Sequence, residues 1–268
     1  MATTAELLAL YDSQLRLVVP PHPPEGHIYE LDGQLLRVSR DHRGFVETAQ
    51  RLDVDGEALD ALIAFHRDYF ARRGDAVEWK TRAHDLPADL PERLLAAGFV
   101  PEESETVMVA ETARMVTSLS TPPKVTITAV HDKNDFDRIS ELQAEVWGGD
   151  FAWLAADLHD RQTAAPDDLV VFVAEAGGRF VSAAWLVLAD HGDFAGLWGG
   201  STLADWRGQG IYKALVARRA EIALQRGVQY LQVDASDDSK PILQRLGFLP
   251  LTTTTPYVWS PARPTPIA

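Results

Sequence analysis

The apolar positions of the chain repeat at two periods, one of three to four residues and one of two, and the switches between them predict its elements. Thr4 opens an amphipathic stretch with Leu7, Leu8, Tyr11 and Leu15 at helical spacing, and Pro20 to Pro24 stop it. Residues 27–31 and 35–39 flank an Asp32-Gly33 turn and read as a hairpin, followed by an extended stretch at 44–49. Residues 55–73 are predicted helical, with Leu59, Leu62, Ile63, His66 and Phe70 on one face. A strand at 77–81, a short helix at 91–97 ended by Gly98, and an extended stretch at 99–110 follow.

After a Pro-bearing interruption at 118–124, with Pro122 and Pro123, the pattern resumes. Residues 125–130 alternate as a strand, and 132–147 form a helix with Phe136, Ile139, Leu142 and Val146 inward. A second helix is expected at 151–161. Strands at 169–174 and 180–188 flank Gly177-Gly178, and the turn at 191–193 leads to a strand ending near Leu203. A glycine-bearing loop, a helix through Gln225, a strand at 228–235, a helix at 239–246 and an extended stretch at 248–259 complete the chain. The order is that of a mixed α/β fold with a βαβ crossover near its centre, where ligands sit at the carboxyl ends of strands. The expected organisation is an N-terminal lobe at 1–117, a linker at 118–124, a C-terminal domain at 125–260 and a tail at 261–268.

Composition narrows the function. The 268 residues carry 39 Asp and Glu against 25 Lys and Arg, a net charge of −14, which repels phosphate backbones and anionic headgroups. Nucleic-acid and membrane partners are therefore not expected. The absence of cysteine removes disulfides, thiolate metal sites and transfer through a protein thioester. No His-x-x-x-His pair occurs, so no metal is expected. The first residues lack the basic start of a secretory signal, and the longest apolar stretch, 181–189, is far below the roughly 20 residues that span a bilayer. A cytoplasmic protein, monomeric or homodimeric, is the expectation.

The loop Arg207-Gly208-Gln209-Gly210-Ile211-Tyr212-Lys213 carries the strongest chemical signal. Its glycines allow a tight turn into a helix, whose first N–H groups and positive dipole end suit a pyrophosphate. Two glycines so spaced also open ordinary helices. Read with Leu246-Gly247-Phe248 and the strand order, however, residues 125–260 resemble the GNAT superfamily of acyl-CoA-dependent N-acyltransferases. The resemblance implies acetyl-CoA as cosubstrate and a small-molecule or peptide amine as acceptor. It assigns the pantetheine arm to Gly200, Ser201, Thr202 and Leu203, and the pyrophosphate to the N–H groups from Gly208 to Lys213, beside Arg207. Ser236, where the family often has Asn, and Ser239 are within reach of the pantetheine amide.

The resemblance does not supply the catalytic groups. Leu243 stands where many members carry a tyrosine acid, and Gly196 and Leu231 occupy the usual base positions. A base is still required to free the amine, and Glu145, His191, Asp193 and Asp234 are the candidates. Asp234 shares a strand face with Gln232 and Ser236. Trp147, Trp153, Trp198 and Tyr257 are candidates to wall an acceptor pocket or to pack a core. A non-catalytic acyl-CoA sensor or scaffold is the rival reading, and Leu243 is its argument.

The halves also resemble each other. Residues 44–47 lead through a helix to Arg73-Gly74 and a strand, as 196–199 lead to Arg226-Gly227 and a strand, and Leu94 to Pro101 answers Leu243 to Pro250. A tandem of two GNAT-like lobes is expected, the first shortened. Its segment facing the phosphate loop, Asp55-Gly56-Glu57-Ala58-Leu59-Asp60, holds three carboxylates that neutralise an anion site.

Overall fold

The computed structural model describes residues 2–40, 43–116, 122–188 and 192–261. His191, most of the expected linker and most of the tail lie outside these. The N-terminal half contains α1 (Thr4–Leu15), β1 (Ile28–Asp32), β2 (Leu35–Ser39), β3 (Gly44–Thr48), α2 (Gly56–Arg73), β4 (Val77–Arg82), α3 (Leu90–Ala96), β5 (Val100–Pro101), β6 (Glu105–Glu111) and α4 (Thr112–Met115). The C-terminal half contains β7 (Thr126–Val130), α5 (Lys133–Trp147), α6 (Ala152–Ala164), β8 (Leu169–Ala176), β9 (Arg179–Leu188), β10 (Phe194–Thr202), α7 (Ile211–Gln225), β11 (Tyr230–Ala235), α8 (Lys240–Leu246) and β12 (Leu249–Trp259), with a short 3-10 turn at Ala204–Trp206.

Local chemistry explains the helix ends. Thr3 and Glu6 form a reciprocal capping box that starts α1. Gly74 and Gly247 close α2 and α8 in the left-handed conformation. The stretch expected to be extended from 99 to 110 is broken at 102–104 into β5 and β6.

Among the described residues twelve strands form one sheet in the order β1-β2-β3-β4-β12-β6-β11-β10-β9-β8-β7, with β5 against β12. Two parallel pairs stand out. Gly44 to Glu47 of β3 pair with Val77 to Lys80 of β4 across the crossover helix α2, and Phe194 to Gly196 of β10 pair with Tyr230 to Gln232 of β11 across α7. This register makes Phe194, not Gly196, the counterpart of Gly44. The displacement arises because β10 has 9 residues against 5 in β3, and the surplus lies on the loop side.

The last strand of each half crosses into the other. β6 lies between β11 and β12, its Val107 opposite Asp234 on one side and Thr252 on the other. In turn, Thr254 to Trp259 of β12 pair with β4, and Tyr257 and Val258 pair with β5. The boundary at 118–124 therefore divides the chain but not the sheet.

The cores follow this weave. α2 and α3 cover Val46, Val77 and Trp79, a cluster that includes Tyr257 from the far end of the chain. α7 covers Ala195, Leu197 and Leu231 together with Met108 of β6. α1 lies on the opposite face, its Leu7 and Tyr11 against Val107, Val109 and Phe194. α5 and α6 cover β8 and β9.

Candidate active site

The open part of the sheet lies between β10 and β11. Their pairing ends at Gly196 and Gln232, yet β10 continues to Thr202, paired there with β9 alone, at Leu197–Leu186, Trp198–Trp185, Ser201–Ala183 and Thr202–Ser182. Between Trp198 and Ser201 the register shifts. Gly199 makes the shift possible, since its φ is +63° and a Cβ there would lie 1.9 Å from Trp185. Side chains hold the irregular stretch from two helices. Gln143 of α5 donates to the Gly199 carbonyl at 2.8 Å, and Arg219 of α7 donates to the Trp198 and Trp185 carbonyls at 3.4 and 3.2 Å. Arg219 is buried, and burial pushes its pKa down to about 10.

Below this opening begins α7. Gly208 and Gly210 have φ of +73° and +88°, and a Cβ at either would meet open space, so glycine serves the turn's conformation rather than its packing. The Gly210 carbonyl accepts the Ala214 N–H, and the preceding N–H groups lie in the unsatisfied first turn. That turn carries no acid, whereas α2 has Glu57 at the same place. Lys213 is exposed beside it. An acid-free helix start below a strand edge released from its neighbour fits an anionic group followed by an extended arm bearing amides.

The other residues implied for the cofactor divide by environment. Arg207 donates to the Thr202 carbonyl at 3.0 Å and Gln209 to the Asp205 carbonyl at 3.0 Å, so both shape the loop. Ile211 and Leu203 are buried and anchor its ends. The Tyr212 ring packs beside Gly200, where a Cβ would come 3.0 Å from it, and burial raises its hydroxyl's pKa. Ser201 is buried with an unpartnered hydroxyl, while Thr202 shares a 2.9 Å contact with Ser182. Ser236 and Ser239 face each other at 3.2 Å in the turn that starts α8.

The candidate bases are not gathered in one place. Glu145 is exposed and paired with Arg179. Asp193 sits at the opposite end of β10 from the loop, where Gln14 and Gln229 bind its carboxylate and tie α1 to the sheet. Asp234 alone lies on β11 beyond its last pairing with β10. It forms a largely shielded ion pair with Lys80 of β4, 154 residues away in sequence, and accepts a hydrogen bond from Gln232 at 2.7 Å. Burial lowers the Lys80 pKa; the charges of Asp234 and Tyr11 and the hydrogen bond to Asp234 together outweigh it, and the net shift is upward.

Glu105, absent from the sequence candidates, joins this cluster from β6. Burial and the neighbouring Asp234 push its pKa up to about 7, against the opposing pull of Lys80. Its weak sequence signal is a carboxylate two residues ahead of the apolar run from Val107 to Ala110.

The aromatic candidates separate as well. Trp147, Trp153 and Trp198 are 51%, 40% and 47% exposed, on the α5 end, the α6 start and the β10 irregularity. Tyr257 belongs to the N-terminal core with Trp79. The crossing of β12 carries it there, so it does not wall a cleft at β10. Among the described residues no group of three or more His, Asp or Glu is placed to hold a metal, and no helix is long and apolar enough to cross a membrane.

Comparison with known proteins agrees with this geometry. Residues 136–248 match the model of the acetyltransferase (GNAT) family. No curated protein matches the chain. Among solved structures, a GCN5-related N-acetyltransferase from Kribbella flavida is similar at a TM-score of 0.69 and 16% identity, over 98% of this chain and 97% of its own. A tandem GNAT protein from the clavulanic acid biosynthesis pathway is similar at 0.63 and 14%, over 98% and 96%. A GCN5-related N-acetyltransferase from Sphaerobacter thermophilus is similar at 0.61 and 15%, over 86% and 82%. The fold of the whole chain is thus GNAT-like, and it is residues 136–248 that match the GNAT acetyltransferase family model.

Proposed function

We propose that the protein is an N-acetyltransferase that moves an acetyl group from acetyl-CoA directly to a primary amine. The observation that carries this reading is the coincidence of two features in one place. β10 parts from β11 after Gly196, and α7 starts beneath the parting with free N–H groups and no acid. The pyrophosphate is then held at Gly208 to Lys213 and the pantetheine arm along Gly200 to Leu203. The arm hydrogen-bonds to the strand edge as an added strand, with the Ser201 hydroxyl and the Ser236–Ser239 pair near its amides.

We read the N-terminal half as a second GNAT-like unit that has lost this site. Its β3 pairs with β4 over the whole stretch from Gly44 to Glu47, so no edge is released, and Glu57 occupies the helix start. To the shared sheet it supplies β6, α1 and the Lys80 partner of Asp234.

The absence of cysteine excludes transfer through a protein thioester and so supports direct transfer, and a net charge of −14 favours cationic or neutral acceptors over anionic ones. A screen of amines, amino acids and peptides with acetyl-CoA, reading free thiol release, tests the proposal. The expected result is turnover with a cationic or neutral primary amine and sequential initial-rate kinetics. Ping-pong kinetics or a preference for anionic acceptors contradicts the mechanism, and binding without turnover across the screen favours a sensor.

A further inference from the structure

We propose that Glu105, carried into the C-terminal half on the exchanged strand β6, is the proton acceptor for the attacking amine. The proposal rests on the acetyltransferase reading above and adds to it a residue from the half that lacks a cofactor site.

Position comes first. Val107 lies directly opposite Asp234, and Glu105, two residues earlier, occupies the same face as its diagonal neighbour, about 7–8 Å away by strand geometry. It lies toward the carboxyl end of β11, past the point where β10 has parted. Availability comes second. Asp234 is already engaged by Lys80 and Gln232. Among the described residues the Glu105 carboxylate has no hydrogen bond or ion pair, and the residue is only partly buried. The groups facing it are Asp234 from β11, Lys80 and Glu78 from β4, and the uncharged Thr254 from β12. A pKa of about 7 suits a base that works near neutrality.

The chemistry balances. An acceptor ammonium gives one proton to the Glu105 carboxylate. The freed nitrogen pair forms the C–N bond at the acetyl carbonyl carbon, the C–S bond breaks, and its electrons leave with sulfur. The second nitrogen proton passes to the thiolate, giving the CoA thiol, and Glu105 returns its proton to water.

Glu105→Gln in the full chain tests the assignment, with tryptamine, spermidine and a lysine-bearing tetrapeptide as acceptor probes. Calorimetric affinity for acetyl-CoA is expected to stay at the wild-type value while kcat falls on the order of 10²–10⁴-fold. The wild-type kcat/KM is expected to fall below about pH 7, and the variant to lose that acid limb, keeping only the amine's own rise at higher pH. Glu105→Asp is expected to retain the limb at a reduced rate.

A second readout is independent of turnover. Because the folded-state pKa is raised, Glu105 costs stability as pH climbs from the ordinary glutamate range through about 7. The Gln variant therefore melts above wild type at about pH 8, and the gap closes at about pH 4, where both folded and unfolded states increasingly carry the protonated acid. Wild-type turnover with the acid limb intact, or loss of acetyl-CoA affinity in Glu105→Gln, overturns the assignment. A wild-type chain that does not bind acetyl-CoA overturns the acetyltransferase reading itself.

Discussion

Produced separately, residues 1–121 and 122–268 are expected to give no cooperatively folded protein, while their co-expression restores a soluble complex. The cause is the strand exchange. Without β6, β11 and β12 lose the strand that joins them, and Val107, Met108 and Val109, all fully buried in the intact chain, leave the core. At roughly 1.5–3 kcal/mol for each large apolar side chain, these three alone approach the ~5–15 kcal/mol that stabilises an ordinary domain. The N-terminal piece fares no better, since it loses Tyr257 from its core and the β12 strand between β4 and β5. Circular dichroism melts of each piece check this. A C-terminal piece that melts cooperatively alone contradicts the account of the fold.

Gly210→Asp is expected to lower acetyl-CoA affinity on the order of 10²–10³-fold or more, a few kcal/mol of like-charge repulsion at close range. The fold is expected to survive. A Cβ at Gly210 meets open space, aspartate tolerates the left-handed region better than most residues, and a carboxylate at the N-cap suits the dipole of α7. The same carboxylate occupies the N–H groups that the pyrophosphate needs. The variant would thereby reproduce by one substitution what Glu57 and its neighbouring acids do at α2. Titration calorimetry and a melting curve read the two effects, and wild-type affinity with a normal melt removes the phosphate loop from the site.

Both predictions show where the sequence was readable. Local signals survived folding well: the helices at 56–73, 133–147 and 211–225 follow the apolar spacing, and Gly74 and Gly247 close theirs. The loop from Arg207 to Lys213 was legible because backbone donors at a helix start depend on nearby residues only. Sheet neighbours were not. An extended apolar stretch records which face is buried but not which strand lies beside it, so β6 and β12 read as the last strands of their own halves.

That limit hid the polar cluster. Lys80 and Asp234 meet across 154 residues of sequence, and Glu105 joins them only through the exchange. Glu145 and Asp193 lie close in sequence to site segments, yet the structure engages them in a surface pair and a structural clamp. The opening between β10 and β11 was equally illegible in detail, because it depends on the shift at Gly199 and on Arg219 and Gln143 holding its carbonyls.

The central claim is that one half of this two-part sheet keeps a working acetyl-CoA site and the other has closed it. Titration of the intact chain with acetyl-CoA in a calorimeter tests it most directly. The account predicts one site per chain, lost in Gly210→Asp; two equivalent sites, or one site that survives that substitution, would contradict it.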